Sequence, residues 1–453
     1  MRLTLDELSG LVRQGRIDTV VTAFTDMQGR FMGKRVTGEF FCSDVAEHGI
    51  HFCNYLLGTE MEMTCPPGFR LMSWAQGYGD WLAVPDLETL RITPWLEKTA
   101  FVICDVLDDA GRPAPVAPRT LLRQQIAAAE AEGCAPMMAS ELEFYLLRDT
   151  YEAARQKRFH DLEPFGWYFE DYHILQGTKG EPVYRDIRNG MAAAGLPVEF
   201  SKGEAGRGQH EVNLRYAGAL EAADHHALFK EGTKEIAMSH GLALTFMAKP
   251  DHSMTGSSCH IHVSLWDPAR TANRFHAGPD PRGWSPVMRH FLGGLVAASR
   301  DFGVFLAPTV NSYKRYAAGS WAPVNMAWAW DNRTCGFRLV GSGASLRVET
   351  RLPGADVNPY LAYTAVLAAG LQGIRHAIEP PPEHRGNAYE ATELPRMPAG
   401  LLDAARIFRR SAVAREALGE LVVEHYANAA EVEQAEFDRV VTCWERERYL
   451  ERI

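Results

Sequence analysis

The sequence predicts an α+β protein in two parts, a small first unit over residues 1–110 and a large second unit over residues 111–453. Three observations carry that reading. Polar and apolar residues alternate with period two over 137–147, 208–216 and 260–265, the pattern of sheets with one polar face rather than the continuous apolar strands of a doubly wound parallel sheet. Helical periodicity fills the stretches between them. Residues 112–118 hold three prolines in seven positions and read as a connector between the units.

In chain order, residues 5–16 read as a short helix, followed by strands over 17–24 and 31–36 around a turn at 26–30. Further short strands include 81–84 and 99–105, the latter closed by the turn 108–111. This first unit reads as a small mixed sheet with one helix. An alanine-rich helical period over 119–132 opens the second unit, and further helices are expected at about 219–239, 285–299, 359–375 and 400–427. The charged stretch 431–452, with Trp444 and Tyr449, reads as a last helix. Between about 149 and 188 no period is clear, and the segment reads as a long excursion from the sheet.

Composition excludes several function classes. The 47 basic and 57 acidic residues leave a net charge of −10, which argues against nucleic acid or an anionic membrane as partner. The 46% hydrophobic and 23% charged residues describe a foldable globule rather than a disordered chain. The 8 cysteines show no close pairs or repeated spacing, so neither a disulfide framework nor a zinc knot is expected. The opening residues lack the apolar core of a signal peptide, and no run approaches the roughly 18 apolar residues of a membrane helix. A reducing, cytoplasmic setting is expected.

Four short phrases carry chemistry. In Ser140-Glu141-Leu142-Glu143-Phe144 a strand points Glu141 and Glu143 to one face; adjacent like charges are costly unless a cation lies between them. Near Glu204 and Glu211, glycines 203, 206 and 208 suggest a tight loop that would return Glu204 beside the strand bearing Glu211. In Cys259-His260-Ile261-His262-Val263-Ser264, the residues His260, His262 and Ser264 share one face, a poor core but a sensible site for metal or phosphate. In Arg347-Val348-Glu349-Thr350-Arg351 a carboxylate sits between two guanidiniums. Taken singly, the carboxylate and arginine phrases also read as solvated surface pairs or a plain cross-strand ion network. Arginines recur at Arg315, Arg333 and Arg338. A carboxylate-rich donor set with neighbouring arginines suits a hard cation, magnesium or manganese, and an anionic ligand such as a nucleoside triphosphate. Neither a GxxxxGK[ST] loop nor a GxGxxG turn opening a βαβ unit is present.

Together these phrases, with Phe246-Met247-Ala248-Lys249-Pro250, Gly256-Ser257, Pro308-Thr309-Val310-Asn311-Ser312-Tyr313-Lys314-Arg315 and Asn358-Pro359-Tyr360, resemble the glutamine synthetase family. The likeness runs from Asp26-x-x-Gly29-x-x-x-Gly33-Lys34 to Trp444-Glu445-x-x-x-Tyr449. It implies a β-grasp-like first domain and a large catalytic domain with a curved, mainly antiparallel sheet flanked by helices. It implies ATP, glutamate and two or more Mg2+ or Mn2+ ions per site, and a homo-oligomer of stacked rings (a dodecamer) with active sites between subunits. By matched motif, Glu143, Glu204 and Glu211 would hold the metal nearer the amino acid, and Glu141, His260 and Glu349 the metal nearer the nucleotide. His262, Ser264, Arg333, Arg338 and Arg347 would contact nucleotide or phosphate. Gly256, Arg315 and Arg351 would contact glutamate or the transferred phosphoryl group, with Arg315, Arg338 and Arg351 as the catalytic arginines.

The pattern breaks at the amine. Ammonia-using members of the family carry a flap glutamate before Ala-Pro, and here Trp321 precedes Ala322-Pro323. Their Asp-Gly-Ser-Ser phrase in the first domain is also missing from residues 44–53, and Thr255 and Ser258-Cys259 depart from the family's usual residues. An indole accepts no proton and suits an alkyl or aryl amine. The resemblance therefore implies ligation of glutamate to an organic amine, as in the γ-glutamylpolyamine and γ-glutamylamide synthetases. Competing readings are an ordinary ammonia-using glutamine synthetase, a non-catalytic structural oligomer, and a γ-glutamylamide hydrolase.

Overall fold

The computed structural model describes residues 2–280 and 282–453. The first helix, Leu5–Arg13, starts at a capping box in which Thr4 and Glu7 satisfy each other's backbone N–H groups. The strands β1 (Thr19–Thr25) and β2 (Phe31–Thr37) form the expected hairpin. Its turn closes on Asp26, which accepts from Arg30 N at 2.9 Å and Arg30 Nε at 2.7 Å, with Gly29 at φ +84°. Among the described residues these join β3 (Ile50–Cys53), β4 (Asp80–Pro85), β5 (Arg91–Ile92) and β6 (Thr99–Leu107) in one sheet ordered β2-β1-β6-β4-β3, with β5 on β6. The β1–β6 pair is parallel and the others antiparallel, as a mixed sheet requires.

The second sheet contains β7 (Ala135–Leu147), β8 (Val198–Gly203), β9 (Gln209–Leu214), β10 (Ala217–Gly218), β11 (Ala243–Thr245), β12 (Cys259–Trp266), β13 (Trp328–Trp330), β14 (Phe337–Val340) and β15 (Arg347–Thr350). Its main path is β13-β14-β15-β12-β7-β9-β8, antiparallel except at β13–β14. The alternation seen in the sequence becomes two faces. Leu142, Phe144, Ile261, Val263 and Val348 are buried. On their side of β7, Ser140 Oγ meets Tyr363 Oη of helix Pro359–Arg375 at 2.6 Å and His226 Nδ1 of helix Ala219–Ser239 at 2.9 Å. The opposite face keeps its polar residues.

Two polar seams join the first sheet to the second. Asn358, which caps helix Pro359–Arg375, donates to Asp26 O at 3.0 Å and Met27 O at 3.2 Å, so the β1–β2 turn is hydrogen-bonded to the helix start. Arg119, nearly fully buried, donates to Asp224 at 2.8 and 3.0 Å, to Asp105 at 2.6 Å and to Asp86 at 2.7 Å. Several charge-assisted bonds are what allow a guanidinium to be buried there.

The excursion and the C-terminal helices differ from expectation. Within 149–188 the structure forms helix Tyr151–Gln156 and most of helix Ile174–Ala193, joined by an irregular stretch over 157–173. The latter buries Val183, Tyr184, Ile187 and Met191 on one face, but Gly177, Gly180 and Pro182 obscure that period in the sequence. The run expected at 400–427 is three helices, broken where Ser411 caps Ala412–Leu418 and where Gly419 sits at φ +82°. Helix Glu420–Asp438 runs on into the expected last helix, and a second capping box, Thr442 with Glu445, starts helix Cys443–Tyr449.

Candidate active site

Strand register assembles the polar face. Glu143 of β7 pairs with Glu211 of β9, and Glu141 of β7 with His260 of β12. His262 of β12 pairs with Glu349 of β15, which in turn pairs with Arg338 of β14. Residues directly opposite in antiparallel strands share a face, so phrases separated by up to about two hundred residues form one row. Glu204 joins it because Gly206 and Gly208 shape a tight return from β8 to β9, where Glu204 N donates to Gln209 O at 3.0 Å. A Cβ at Gly206 would fall 1.8 Å from Tyr145 Oη, and Gly208 sits at φ +76°.

Among the described residues, three groups of side chains bring their donor atoms within 4.8 Å of one another: Glu143, Glu204 and Glu211; Glu141, Glu211 and His260; and Glu141, His262 and Glu349. The first is the trio expected from the sequence. The second expected trio is also close, with His260 Nδ1 at 3.2 Å from Glu141 and 3.7 Å from Glu349, but His262 Nε2 reaches Glu141 at 2.9 Å and belongs to the same cluster.

The electrostatics separate the two ends of the row. Burial, then repulsion from Glu204, pushes Glu143 up to about 8. Burial, then Glu141, Glu204 and Glu143, raises Glu211 well above the carboxylate range. Burial also raises Glu204, against the opposing ammonium of Lys202, its ion-pair partner. At the other end burial is outweighed. Arg351 and the histidines hold Glu349 down at about 2, and His262 and His260 hold Glu141 low. Burial, then Arg351, lowers His260 to about 4. Three carboxylates shifted upward by burial, two of them also by like-charged neighbours within the trio, form a donor set that suits a hard cation. The buried His260 Nε2, which has no partner among the described residues, fits the same donor set.

A cavity of about 410 Å3 opens onto this row, lined by Glu141, Glu143, Glu204, Glu211 and His260, with Gly256, Trp321, Arg333, Arg338 and Arg351 at its other walls. Arg338 donates to Glu349 at 2.8 Å and Arg351 donates to it at 2.6 Å, so one buried carboxylate orients both guanidiniums. Trp321 is 59% exposed at φ +63°, a left-handed conformation costly for so bulky a residue.

Five expected residues lie off the cavity wall: Glu349, behind Arg338 and Arg351, and four more. Arg315 is buried, and its guanidinium is committed to Leu352 O at 2.8 Å, Arg351 O at 3.0 Å and Ser258 Oγ at 3.0 Å. Arg347 Nε donates to His262 Nδ1 at 3.0 Å, and Ser264 Oγ accepts from Trp266 Nε1 at 3.0 Å. His262 is buried beneath Glu141.

Other contributors were missed. Lys202, on β8, pairs with both Glu204 and Asp171; its position two residues before Glu204 was a usable clue. Gln209, two residues before Glu211, donates to Glu143 Oε2 at 3.0 Å, and Ser258 N donates to the same oxygen at 2.8 Å. Tyr172 (φ +56°) and Phe200 add two rings to the cavity; neither lies in a stretch with a readable period.

The glutamine synthetase catalytic-domain family matches residues 115–449. The chain is 47% identical over 451 residues to the γ-glutamylethanolamide synthetase of Streptomyces coelicolor, covering 100% of this chain and 96% of that protein. It is 40% identical over 446 residues to the glutamate–isopropylamine ligase of a Pseudomonas species, covering 98% and 97%. The solved structure of a GmaS–ADP complex superposes with a TM-score of 0.85 at 31% identity, covering 98% of this chain and 99% of that one. Among the described residues no helix is long and apolar enough to cross a membrane.

Proposed function

The chain belongs to the glutamine synthetase family, and on that premise we propose that it is an ATP-dependent ligase joining the γ-carboxylate of L-glutamate to an organic amine. The observation that carries the reading is Trp321, an indole on the same cavity as Glu143, Glu204 and Glu211, at the position where ammonia-using members carry an acid. Tyr172 and Phe200 extend that wall. Apolar rings suit an alkyl or aryl substituent, and their faces attract an alkylammonium. Similarity to two ligases named for ethanolamide and isopropylamine supports the same reading.

The chemistry explains the residue set. Oxide is too poor a leaving group for an amine to displace from a carboxylate. ATP removes the obstacle: a γ-carboxylate oxygen attacks the γ-phosphorus, the bond to the bridging oxygen breaks, and ADP leaves behind γ-glutamyl phosphate. The free amine then attacks the carbonyl carbon, the C–O bond to phosphate breaks, and the nitrogen gives up a proton. Glu143, Glu204 and Glu211 would hold one divalent cation, and Glu141, His260 and Glu349 a second, with His262 beside them. Mg2+ or Mn2+ bound there supplies positive charge against the phosphoryl oxygens. Arg338 and Arg351, oriented by Glu349, add fixed positive charge at the transferring group. Arg333 faces the nucleotide phosphates, and His262, Ser264 and Arg347 build the sheet beneath them. Gly256 would meet the glutamate with its backbone, and it is glycine because a Cβ there would fall 2.7 Å from Arg315 Cγ and 2.8 Å from Ala248 O. Arg315 takes part from behind the wall by positioning Ser258 and the 351–352 backbone.

We further propose the division at about residue 110, a cytoplasmic setting, and assembly as stacked rings. Exposed Trp74, Trp444, Leu450 and Ile453 support assembly, because large apolar side chains at such exposure suit burial against a neighbouring subunit. Purified protein with ATP, Mg2+ and glutamate, assayed for phosphate release across ammonia, ethanolamine, isopropylamine, putrescine and benzylamine, tests the function. At least one organic amine should exceed ammonia by tenfold or more in kcat/KM, and Trp321→Glu should shift that preference toward ammonia. Turnover with ammonia alone would overturn the proposal.

A further inference from the structure

A second cavity of about 410 Å3 lies apart from the ligase site, between the β1–β2 turn, helix Ala219–Ser239 and helix Glu420–Asp438. Its walls are largely apolar, with Met27, Phe69, Phe246, Val304 and Leu361 among them. Two lysines one helical turn apart, Lys230 and Lys234, also line it. Their ammonium groups lie 5.4 and 5.9 Å from the Phe246 ring centroid. Lys230 Nζ donates to Ala355 O at 2.9 Å and Val357 O at 3.0 Å, which leaves one of its three N–H groups unused. Lys234 has no hydrogen-bond partner among the described residues, and no carboxylate oxygen lies within 4.0 Å of either ammonium.

Glu231 and Glu433 also line the wall, neither with an oxygen within 4.0 Å of a lysine or arginine nitrogen among the described residues, and the remaining charges have work elsewhere. Arg30 pairs with Asp26. Glu60 accepts from Glu62 N and Thr64 N, and Asp356 accepts from Thr309 and Ser312. Two partly dehydrated cations facing a largely apolar chamber lack a directly paired anion: Glu231 acts on Lys234 and Asp356 on Lys230 only through space, and neither outweighs burial. Burial accordingly lowers both lysines, Lys230 to about 8. The chamber's size is within the range of small-molecule sites.

The chamber also reaches the ligase site through hydrogen bonds. Lys230 holds the carbonyls of Ala355 and Val357, Ala355 N donates to Ser257 O at 3.0 Å, and the next residue, Ser258, donates its N–H to Glu143.

We propose that this cavity is an effector site for an organic monocarboxylate, its head on Lys230 and Lys234 and its apolar body against Phe246, Phe69 and Val304. Calorimetry on the full-length protein with Mg2+ tests it, with hexanoate and 3-phenylpropionate as probes and hexan-1-ol and inorganic phosphate as controls. At least one acid should bind saturably while both controls do not, and excess glutamate with ADP should not compete. Lys234→Met should weaken that acid at least tenfold with basal ligase activity unchanged, and Lys234→Arg should keep it within about threefold. The bound acid should change the ligase rate of the wild type at least twofold and leave that of Lys234→Met unaltered. The proposal is overturned if neither acid binds, if Lys234→Met binds as tightly as wild type, or if glutamate competes. Binding without a rate change overturns the effector role. The binding arms need no turnover, so they stand or fall separately from the choice of amine.

Discussion

Removing divalent cations should make the fold less stable as pH rises from 6.5 to 8, through Glu143. Its carboxyl is pushed up to about 8 by burial and then by Glu204, against an ordinary value of 4.5. Between those values the folded chain binds a proton that the unfolded chain has released, so the stability linked to this group is present below pH 4.5 and is lost as pH climbs through about 8. Integrating over pH 6.5 to 8 gives a loss of roughly 2 kcal/mol from Glu143, and full ionisation costs roughly 5 kcal/mol. Other buried groups titrate with the opposite sign. His225, His260 and His425 are each lowered to about 4, so they add stability as pH rises toward the ordinary histidine range, and Lys230, lowered to about 8, adds some above that value. The comparison with Glu143→Gln cancels them. Urea midpoints followed by tryptophan fluorescence in EDTA, at one protein concentration, should fall more steeply with pH in wild type than in Glu143→Gln. Millimolar Mg2+ should abolish or reverse the wild-type slope, because the cation needs the carboxylates ionised. Equal slopes for the two proteins in EDTA, or no effect of Mg2+ at pH 8, would refute the reasoning.

Two further outcomes follow from ion pairs. Arg119→Met strips Asp224, Asp86 and Asp105 of their shared guanidinium and should cost about 3–5 kcal/mol, the usual penalty for leaving one half of a buried pair; thermal unfolding reads it, while KM for glutamate in the surviving folded enzyme should not move. Lys202→Met removes the ammonium that occupies Glu204 and should tighten Mg2+ binding severalfold by calorimetry, with weaker binding counting against Lys202 as the competing cation.

Much of the fold was legible because its signals are local. Alternation in β7, β9 and β12 needs only a sheet with one polar face, and the 26–30 turn announces itself through Asp26 and Gly29. Helix Ile174–Ala193 was illegible for the converse reason. Its glycines and Pro182 argue against helix, and burial of Val183, Tyr184, Ile187 and Met191 outweighs that propensity only once the rest of the chain is in place. Helix ends at Ser411 and Gly419 were visible as residue types, yet the apolar period ran across them.

The site divides along the same line. Glu141 with Glu143, His260 with His262, and Arg347 with Glu349 are each two residues apart, so a single strand reveals that they share a face. Which of them meet across strands depends on register, a long-range property, and register makes His262 a neighbour of Glu141 alongside His260. Arg315 shows the limit of motif reasoning most clearly: the residue type suits an anion, but the fold commits its guanidinium to two carbonyls and a hydroxyl. Trp321 lies at the other extreme. One substitution in a short loop was readable because its chemistry differs so sharply from a carboxylate, and the structure sets it with Tyr172 and Phe200 on the cavity of the carboxylate row. Carboxylates and arginines suit the phosphoryl transfer that any amine acceptor requires, so the choice of amine must be written in the residues that carry no charge.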